Sequence, residues 1–383
     1  MSTIQATNIK SAASASNNIV LDASGNATFA GTAAMASSFL RNRIINGDMR
    51  IDQRNAGASV TVNNASNNTF SVDRWQGAGE TSDGVFTLQR STVAPTGFTN
   101  SLLATVTTAD ASVGASQRYF IQQRIEGFNT ADFGWGAAGA LSVTLSFWVR
   151  SSVTGTYGGS MRNSAGDRSY PFTYSISAAN TWEYKTVTVS GDTTGTWLTD
   201  NGSGVLVTWG LGVGSSLSGT AGAWSASGLW SATGATNWIS TNGATFYLTG
   251  VQLEVGTAAT PFERRQYGQE LALCQRYFQR FSAFSGSTFD AFISYFGGTG
   301  AVSGIQMFFE QMRATPTASI SNATVEYYSY AGVWTSTTLT AVIFDSQRFY
   351  FFCLTDGDGR GKLMRAASNS AANQPYASFS AEL

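Results

Sequence analysis

The chain reads as all-β, built of antiparallel sheets, with one short helix joining a large domain to a smaller one. Three features point there. Charged residues make up 12% of the sequence, about half the usual globular share of roughly 25%, while 41 glycines and an aromatic content of 13% accompany abundant Ser, Thr, Asn and Ala. Small polar residues mixed with rings suit half-buried strands separated by many turns. Short apolar runs punctuated by turn clusters recur along nearly the whole length, and a single segment has helical spacing. At 383 residues, two to three domains are expected, roughly 100–200 residues apiece.

Residues 1–40 form a low-complexity lead of Ala, Ser, Thr and Asn. Within it, Ile19-Val20-Leu21 and Thr28-Phe29 flank a turn at Asp22–Asn26, predicting a small hairpin. The lead is too poor in apolar residues for a core of its own. It is either flexible or ordered against neighbouring chains.

Residues 41–264 carry roughly nine or ten β-type runs between turn clusters, the pattern of a sandwich or jelly roll. Leu141, Val143, Leu145, Phe147 and Val149 alternate with Ser142, Thr144, Ser146 and Trp148, so one face is apolar and the other mostly polar. Residues 265–281 break that pattern. Tyr267, Leu271, Cys274, Phe278 and Phe281 are spaced 4-3-4-3, a heptad-like seam predicting a linking helix. So short a seam needs a partner: either its own domain or symmetry mates in an oligomer. Residues 282–383 return to strands and are dense in aromatics, including consecutive Tyr350-Phe351-Phe352. Both faces of that strand must be covered, which packing against identical copies would achieve.

Composition also excludes chemistry. The absence of histidine removes the usual general base and the Ser-His-Asp and Cys-His arrangements. Cys274 and Cys353 are far apart and have no metal-binding spacing; two free buried thiols are expected, with a single disulfide as the alternative. With 22 basic and 23 acidic residues, nothing favours nucleic acid or an anionic membrane. The N-terminus has no apolar signal core, and no apolar stretch is long enough to span a bilayer. No cofactor and no metal are expected.

Several segments resemble phage tail-fibre and receptor-binding proteins. They are Asn42-Arg43-Ile44-Ile45-Asn46-Gly47-Asp48-Met49 with Asp52-Gln53-Arg54, Asp73-Arg74-Trp75, Gln123-Arg124-Ile125-Glu126, Ser146–Arg150 and Thr181-Trp182-Glu183. Thr249-Gly250-Val251-Gln252-Leu253-Glu254, Ala259–Glu263, Cys274-Gln275-Arg276-Tyr277 and Met312–Thr317 complete the series. The resemblance covers about residues 41–320, and the order of the motifs is more specific than any one of them. It implies a jelly roll similar to carbohydrate-binding modules, a homotrimer, and a virion location after assembly in the host cytoplasm. It further implies attachment to other tail or head proteins through residues 1–40, and adsorption to a host cell-surface glycan or receptor without membrane insertion.

Sugar recognition needs flat aromatic faces beside hydrogen-bonding groups. Trp224, Trp230 and Trp238 fall in the Gly/Ser/Thr-rich stretch Gly219–Asn242, so they either face a glycan or fold back over the sandwich or a neighbouring subunit. Tyr327, Tyr328 and Tyr330 are the second contact candidates. Trp148, Trp182 and Trp209 are expected in the core, Trp75 is expected to be structural, and Asp73 and Arg74 are expected to form a surface or inter-strand ion pair. The run Asp356–Lys362 fails both as a phosphate loop and as a calcium loop and reads as a hairpin turn. Glu254 or Asp48 would serve if a structural calcium were present. A hydrolase needs two carboxylates across a cleft, and Asp73, Glu126, Asp132 and Asp167 mark no such pair. The expectation is therefore a non-enzymatic, multivalent binding protein. A polysaccharide-depolymerising tailspike and an architectural head fibre or decoration protein are the alternatives.

Overall fold

The computed structural model describes residues 41–64, 69–80, 83–280, 311–319 and 378–383 with their side chains, and elsewhere the backbone of strands alone. The chain divides into two units, Met1–Arg41 and Asn42–Leu383. The first holds a three-stranded antiparallel sheet of β1 (Asn8–Ile9), β2 (Ile19–Leu21) and β3 (Ala27–Phe29), with Ile19 opposite Phe29 and Leu21 opposite Ala27. β2 and β3 pair as the expected hairpin requires, while the turn at Asp22–Asn26 lies outside the described residues.

In the second unit two six-stranded antiparallel sheets face each other. The front sheet runs β13 (Glu183–Val189), β10 (Val143–Ser151), β17 (Thr245–Val255), β8 (Ser101–Thr108), β7 (Val85–Ser91) and β4 (Val60–Val62). The back sheet runs β12 (Ser169–Ile176), β11 (Gly155–Arg162), β14 (Ser203–Val213), β9 (Arg118–Glu126), β6 (Gln76–Glu80) and β5 (Thr69–Phe70). From β8 onward the chain crosses between sheets so that β17 lies between β8 and β10, and β14 between β9 and β11. That interleaving is a jelly roll. Two short strands, β15 (Ser218–Gly219) and β16 (Ser231–Ala232), pair in parallel inside the long β14–β17 connection.

Alternation explains the core. Val143, Leu145, Phe147 and Val149 of β10 are fully buried and meet Val205, Val207, Trp209 and Leu211 of β14 in one cluster. Phe147 stands edge-on to Trp209 at 5.6 Å, and Trp75 tilts against the same indole at 5.5 Å. Each large ring removed from water contributes about 1.5–3 kcal/mol.

The motif residues at 42–54 and 73–75 lie in irregular backbone that locks onto this core. The Asn42 side chain accepts from Ile44 N and Leu253 N and donates to Val251 O, tying the segment's start to β17. The Asn46 amide donates to Ile51 O and Asp73 O, and Trp75 Nε1 donates to Asn46 O. Strand β5 stops at Phe70, because Ser71–Trp75 turns with Arg74 at φ 71°. Trp75 is fully buried, as a structural role requires. Asp73 and Arg74 do not pair with each other. Asp73 faces Arg54 at 3.9 Å and accepts from Gln53 Nε2 at 2.5 Å, whereas buried Arg74 pairs with Glu382 and lies 3.5 Å from the Tyr277 ring centroid.

The helix α1 spans Tyr267–Gln275. It ends before Phe278 and Phe281, which belong to strand β18 (Phe278–Ser282), so the expected helical seam does not run its length. Arg276 N and Tyr277 N bond back to Ala272 O and Cys274 O, tightening the last turn. Beyond it, the aromatic run pairs with β27 (Tyr376–Ser380) instead of continuing a helix, in keeping with its β propensity. Tyr267 is exposed and Leu271 partly buried, while Cys274, a free thiol, packs with Ile45, Ile51 and Tyr277. No helix among the described residues is long and apolar enough to cross a membrane.

The C-terminal part forms a small β domain. β27 pairs on its other edge with β21 (Thr317–Ser321). Two further antiparallel sheets comprise β19 (Phe289–Asp290), β26 (Met364–Ala367), β22 (Thr324–Tyr328) and β23 (Trp334–Thr338), and β20 (Val302–Phe308), β25 (Arg348–Leu354) and β24 (Thr340–Ile343).

Candidate functional site

The β10 alternation that buries Phe147 and Val149 turns Trp148 and Arg150 outward on the front sheet. Cross-strand register then brings rings together. Trp148 is opposite Tyr184 of β13, centroids 5.4 Å apart, and Arg150 is opposite Tyr247 of β17, its guanidinium carbon 5.0 Å from that ring centroid. Trp182, just before β13, meets Tyr247 edge-on at 5.9 Å.

A bulge lengthens this surface. Register between β10 and β17 shifts between Ser146 and Trp148, opposite Gly250, whose φ is 59°. A Cβ at Gly250 would fall 2.7 Å from Phe98 Cζ and 3.1 Å from Trp148 Cδ1. Glycine therefore lets both rings lie directly over the strand. Phe98 in turn meets Phe262 at 5.2 Å, and Arg264 stacks on both rings at 4.7 and 5.6 Å.

The result is an aromatic track on the open side of the front sheet. Tyr184, Trp148, Phe98 and Phe262 follow one another, with Trp182 and Tyr247 beside them. Tyr184 is 44% exposed and the other five are partly buried. Arg150 and Arg264 supply hydrogen-bond donors at its margin; Arg150 Nε already donates to Asn180 O at 2.9 Å. Glu183 is engaged by Lys185 Nζ at 2.6 Å and by the N–H groups of Ser177 and Ala178. Burial pushes its carboxyl up, but those hydrogen bonds and the Lys185 charge outweigh it, so Glu183 titrates below the usual carboxylate range. The expectation that Trp148 and Trp182 are core does not hold, since both lie on the outer surface of the sheet; Trp209 is core.

The tryptophans of the Gly219–Asn242 stretch fall elsewhere. Trp238 is fully buried between Phe86 and Phe246 and presents no face to a ligand. Trp230 is 8% exposed, with its ring against Phe120 at 4.5 Å and under the guanidinium groups of Arg162 and Arg118 at 3.4 and 4.2 Å. Glycines make room for both segments: Cβ atoms at Gly158 and Gly210 would collide with or crowd Ser231 of β16, next to Trp230, and one at Gly212 would collide with Ile239, next to Trp238. Trp224 is partly buried and donates to Ser190 O at 2.8 Å. It stands edge-on to Trp135 and Trp197 at 5.2 and 5.5 Å. Beside that cluster, Phe133, Trp135, Trp197, Thr130 and Thr199 border a small hollow. Arg168 holds Asp192, which also accepts from Trp197 Nε1, through two hydrogen bonds of 2.7 and 2.6 Å.

Tyr327 and Tyr328 lie on β22, where the backbone alone is described; Tyr330, the side chain of Phe281 and the Asp356–Lys362 turn fall outside the described residues. The two possible calcium ligands have protein partners. Asp48 faces Arg50 at 2.5 Å, and Glu254 accepts from Gln252 Nε2, Thr260 N and Thr260 Oγ1. Tyr184, Tyr247, Phe98 and Phe262 escaped sequence reasoning. For the first two, the signal was polar alternation interrupted by large rings on strands otherwise read as half-buried.

No family model and no curated protein matches the sequence. Among solved structures, the chain is similar to the enzymatically active domain of tailspike protein 4 of bacteriophage CBA120, at 12% identity and a TM-score of 0.30 over 56% of this chain and 22% of that one. The chain therefore spans about a fifth of that relative. It is also similar to a family 4 carbohydrate-binding module (14% identity, TM-score 0.27, covering 55% of this chain and 98% of that one). A family 11 module of a Clostridium thermocellum cellulosomal cellulase gives 10% identity and a TM-score of 0.26, covering 53% and 98%. Scores in this range do not establish a common fold, and the jelly-roll assignment rests on the strand order itself.

Proposed function

We propose that this protein binds glycans without catalysing a reaction, through the aromatic track on its front sheet, as a tail-fibre-like subunit that adsorbs a phage particle to its host. One observation carries the binding half of this reading. Six rings from five separate segments converge on one sheet face, and a glycine bulge makes their close packing possible. Rings offer the apolar faces that pyranoses stack on, and the marginal guanidinium groups offer donors to hydroxyls. The virion half rests on the ordered motifs between Asn42 and Thr317. Trimeric assembly belongs to the same reading, because weak single-site contacts become strong adhesion when several copies engage together.

The test is titration of the full-length chain with purified host surface polysaccharide, following tryptophan fluorescence and released reducing ends. Saturable quenching without reducing-end release is expected. Trp148→Ala should weaken binding about tenfold, corresponding to loss of roughly 1.4 kcal/mol, with an unchanged thermal midpoint. Steady turnover, or binding indifferent to both Trp148→Ala and Tyr247→Ala, would overturn the proposal.

A further inference from the structure

The outer face of the back sheet carries an anomaly that the aromatic track does not use. Met161 of β11 points into the core, so Ser160 and Arg162 on either side of it point outward. Register sets Ser160, Thr208, Gln122 and Gln76 in one row across β11, β14, β9 and β6, and Arg162, Leu206 and Arg124 in the next. Gln122 Nε2 donates to Thr208 Oγ1 at 2.8 Å, and Arg124 Nε donates to Gln122 Oε1 at 3.3 Å.

Arg162 is 6% exposed, its Nε has no acceptor, and among the described residues no carboxylate pairs with it. Burial first, and then the charges of Arg118 and Arg124, bring its guanidinium down to about 9. Ser160 Oγ, on the same face of the same strand, is likewise buried and without a partner. A native fold rarely leaves two such groups side by side. The stacking of Arg162 on the Trp230 indole at 3.4 Å recovers only a fraction of what desolvating a guanidinium costs. Arg118 relieves nothing, because it is itself a cation and is paired with Glu80.

Stacking occupies one face of the Arg162 guanidinium and leaves its edge, the part that grips a carboxylate with two parallel hydrogen bonds. We infer that this face is a second saccharide subsite, in which Arg162 holds the carboxylate of a uronic acid residue. That the anion is a sugar acid rests on the glycan-binding reading above; that an anion binds here does not.

The experiment is calorimetric titration of the full chain with galacturonate, galactose, acetate and phosphate in parallel. Saturable binding of galacturonate alone is expected. Arg162→Gln should weaken it at least tenfold while leaving the thermal midpoint unchanged or higher, because a buried uncompensated charge is removed. Galacturonate should raise the midpoint of the natural protein and not that of Arg162→Gln. Trp148→Ala should leave galacturonate binding intact, so failure of the front track and failure of this subsite are separable. The inference is overturned if galacturonate binding is absent or survives Arg162→Gln. A fall in midpoint on substitution without any ligand effect would mark Arg162 as a structural prop and also overturn it. Acetate or phosphate binding as tightly as galacturonate would overturn the sugar assignment.

Discussion

Arg276 grips Glu126 with two hydrogen bonds, Nε to one carboxylate oxygen at 2.9 Å and Nη2 to the other at 2.5 Å, so the residue after α1 is fastened to the last residue of β9. Tyr277 Oη donates to the same carboxylate at 2.7 Å. Hydrogen bonding to Glu126 raises the Arg276 guanidinium above its ordinary value, whereas burial pushes the Tyr277 phenol up to about 12. The site joins two of the sequence motifs, QRIE and CQRY, in one contact.

Glu126→Gln should therefore destabilise the fold. The carboxylate is 1% exposed and the Arg276 side chain 31%, so the loss should sit near the lower end for a broken buried pair, about 3 kcal/mol. Urea unfolding reads it as a shifted midpoint with an unchanged slope. An unshifted midpoint would mean that the clamp contributes nothing.

Asp73 should make stability depend on pH in an unusual direction. Burial raises its carboxyl from 3.8 to about 6, against the opposing influence of Arg54 and the Gln53 hydrogen bonds. The folded state thus holds this proton more tightly than the unfolded chain. Its contribution is most favourable below about pH 4 and declines as pH rises to about 6. The stability difference between the natural protein and Asp73→Asn should fall across that interval, by an amount on the order of 2–3 kcal/mol. A flat difference would contradict the assignment.

Gly250→Ala should be harmful on two counts. Alanine at φ 59° is strained by about 1 kcal/mol. Its methyl would also sit 2.7 Å from Phe98 Cζ, forcing that ring off the track. A lower thermal midpoint and weakened polysaccharide binding in the folded protein should appear together. Binding unchanged in folded Gly250→Ala would separate Phe98 from the recognition surface.

Trp238→Ala should cost about 3–5 kcal/mol, as for a large ring removed from a packed core. The indole is fully buried in the main cluster. Glycan affinity of the protein that remains folded should not change. A selective loss of affinity at full stability would restore Trp238 as a contact residue.

Much of the architecture is visible in local patterns. The alternation of Val143, Leu145, Phe147 and Val149 identifies β10 and its buried face, and the turn at Asp22–Asn26 identifies the β2–β3 hairpin. The helix was visible at its start but not at its end. The spacing of Phe278 and Phe281 satisfies a heptad, yet pairing with β27, almost a hundred residues later, makes that segment a strand. Trp148 departs from the expected core position for a related reason. Its position opposite Phe147 and Val149 follows from the period, but whether another layer covers the outer face does not.

Periodicity and composition suffice for strands, turns, an all-β core and the exclusion of histidine chemistry, because these depend on neighbours within a few positions. Contacts between distant segments set the working surfaces. Phe98 and Trp148 meet over Gly250 because of a bulge, and Arg162 lies beneath Trp230 because a strap from the β14–β17 connection folds across the back sheet. No local pattern specifies either juxtaposition, since each depends on which strands become neighbours and on the register they adopt.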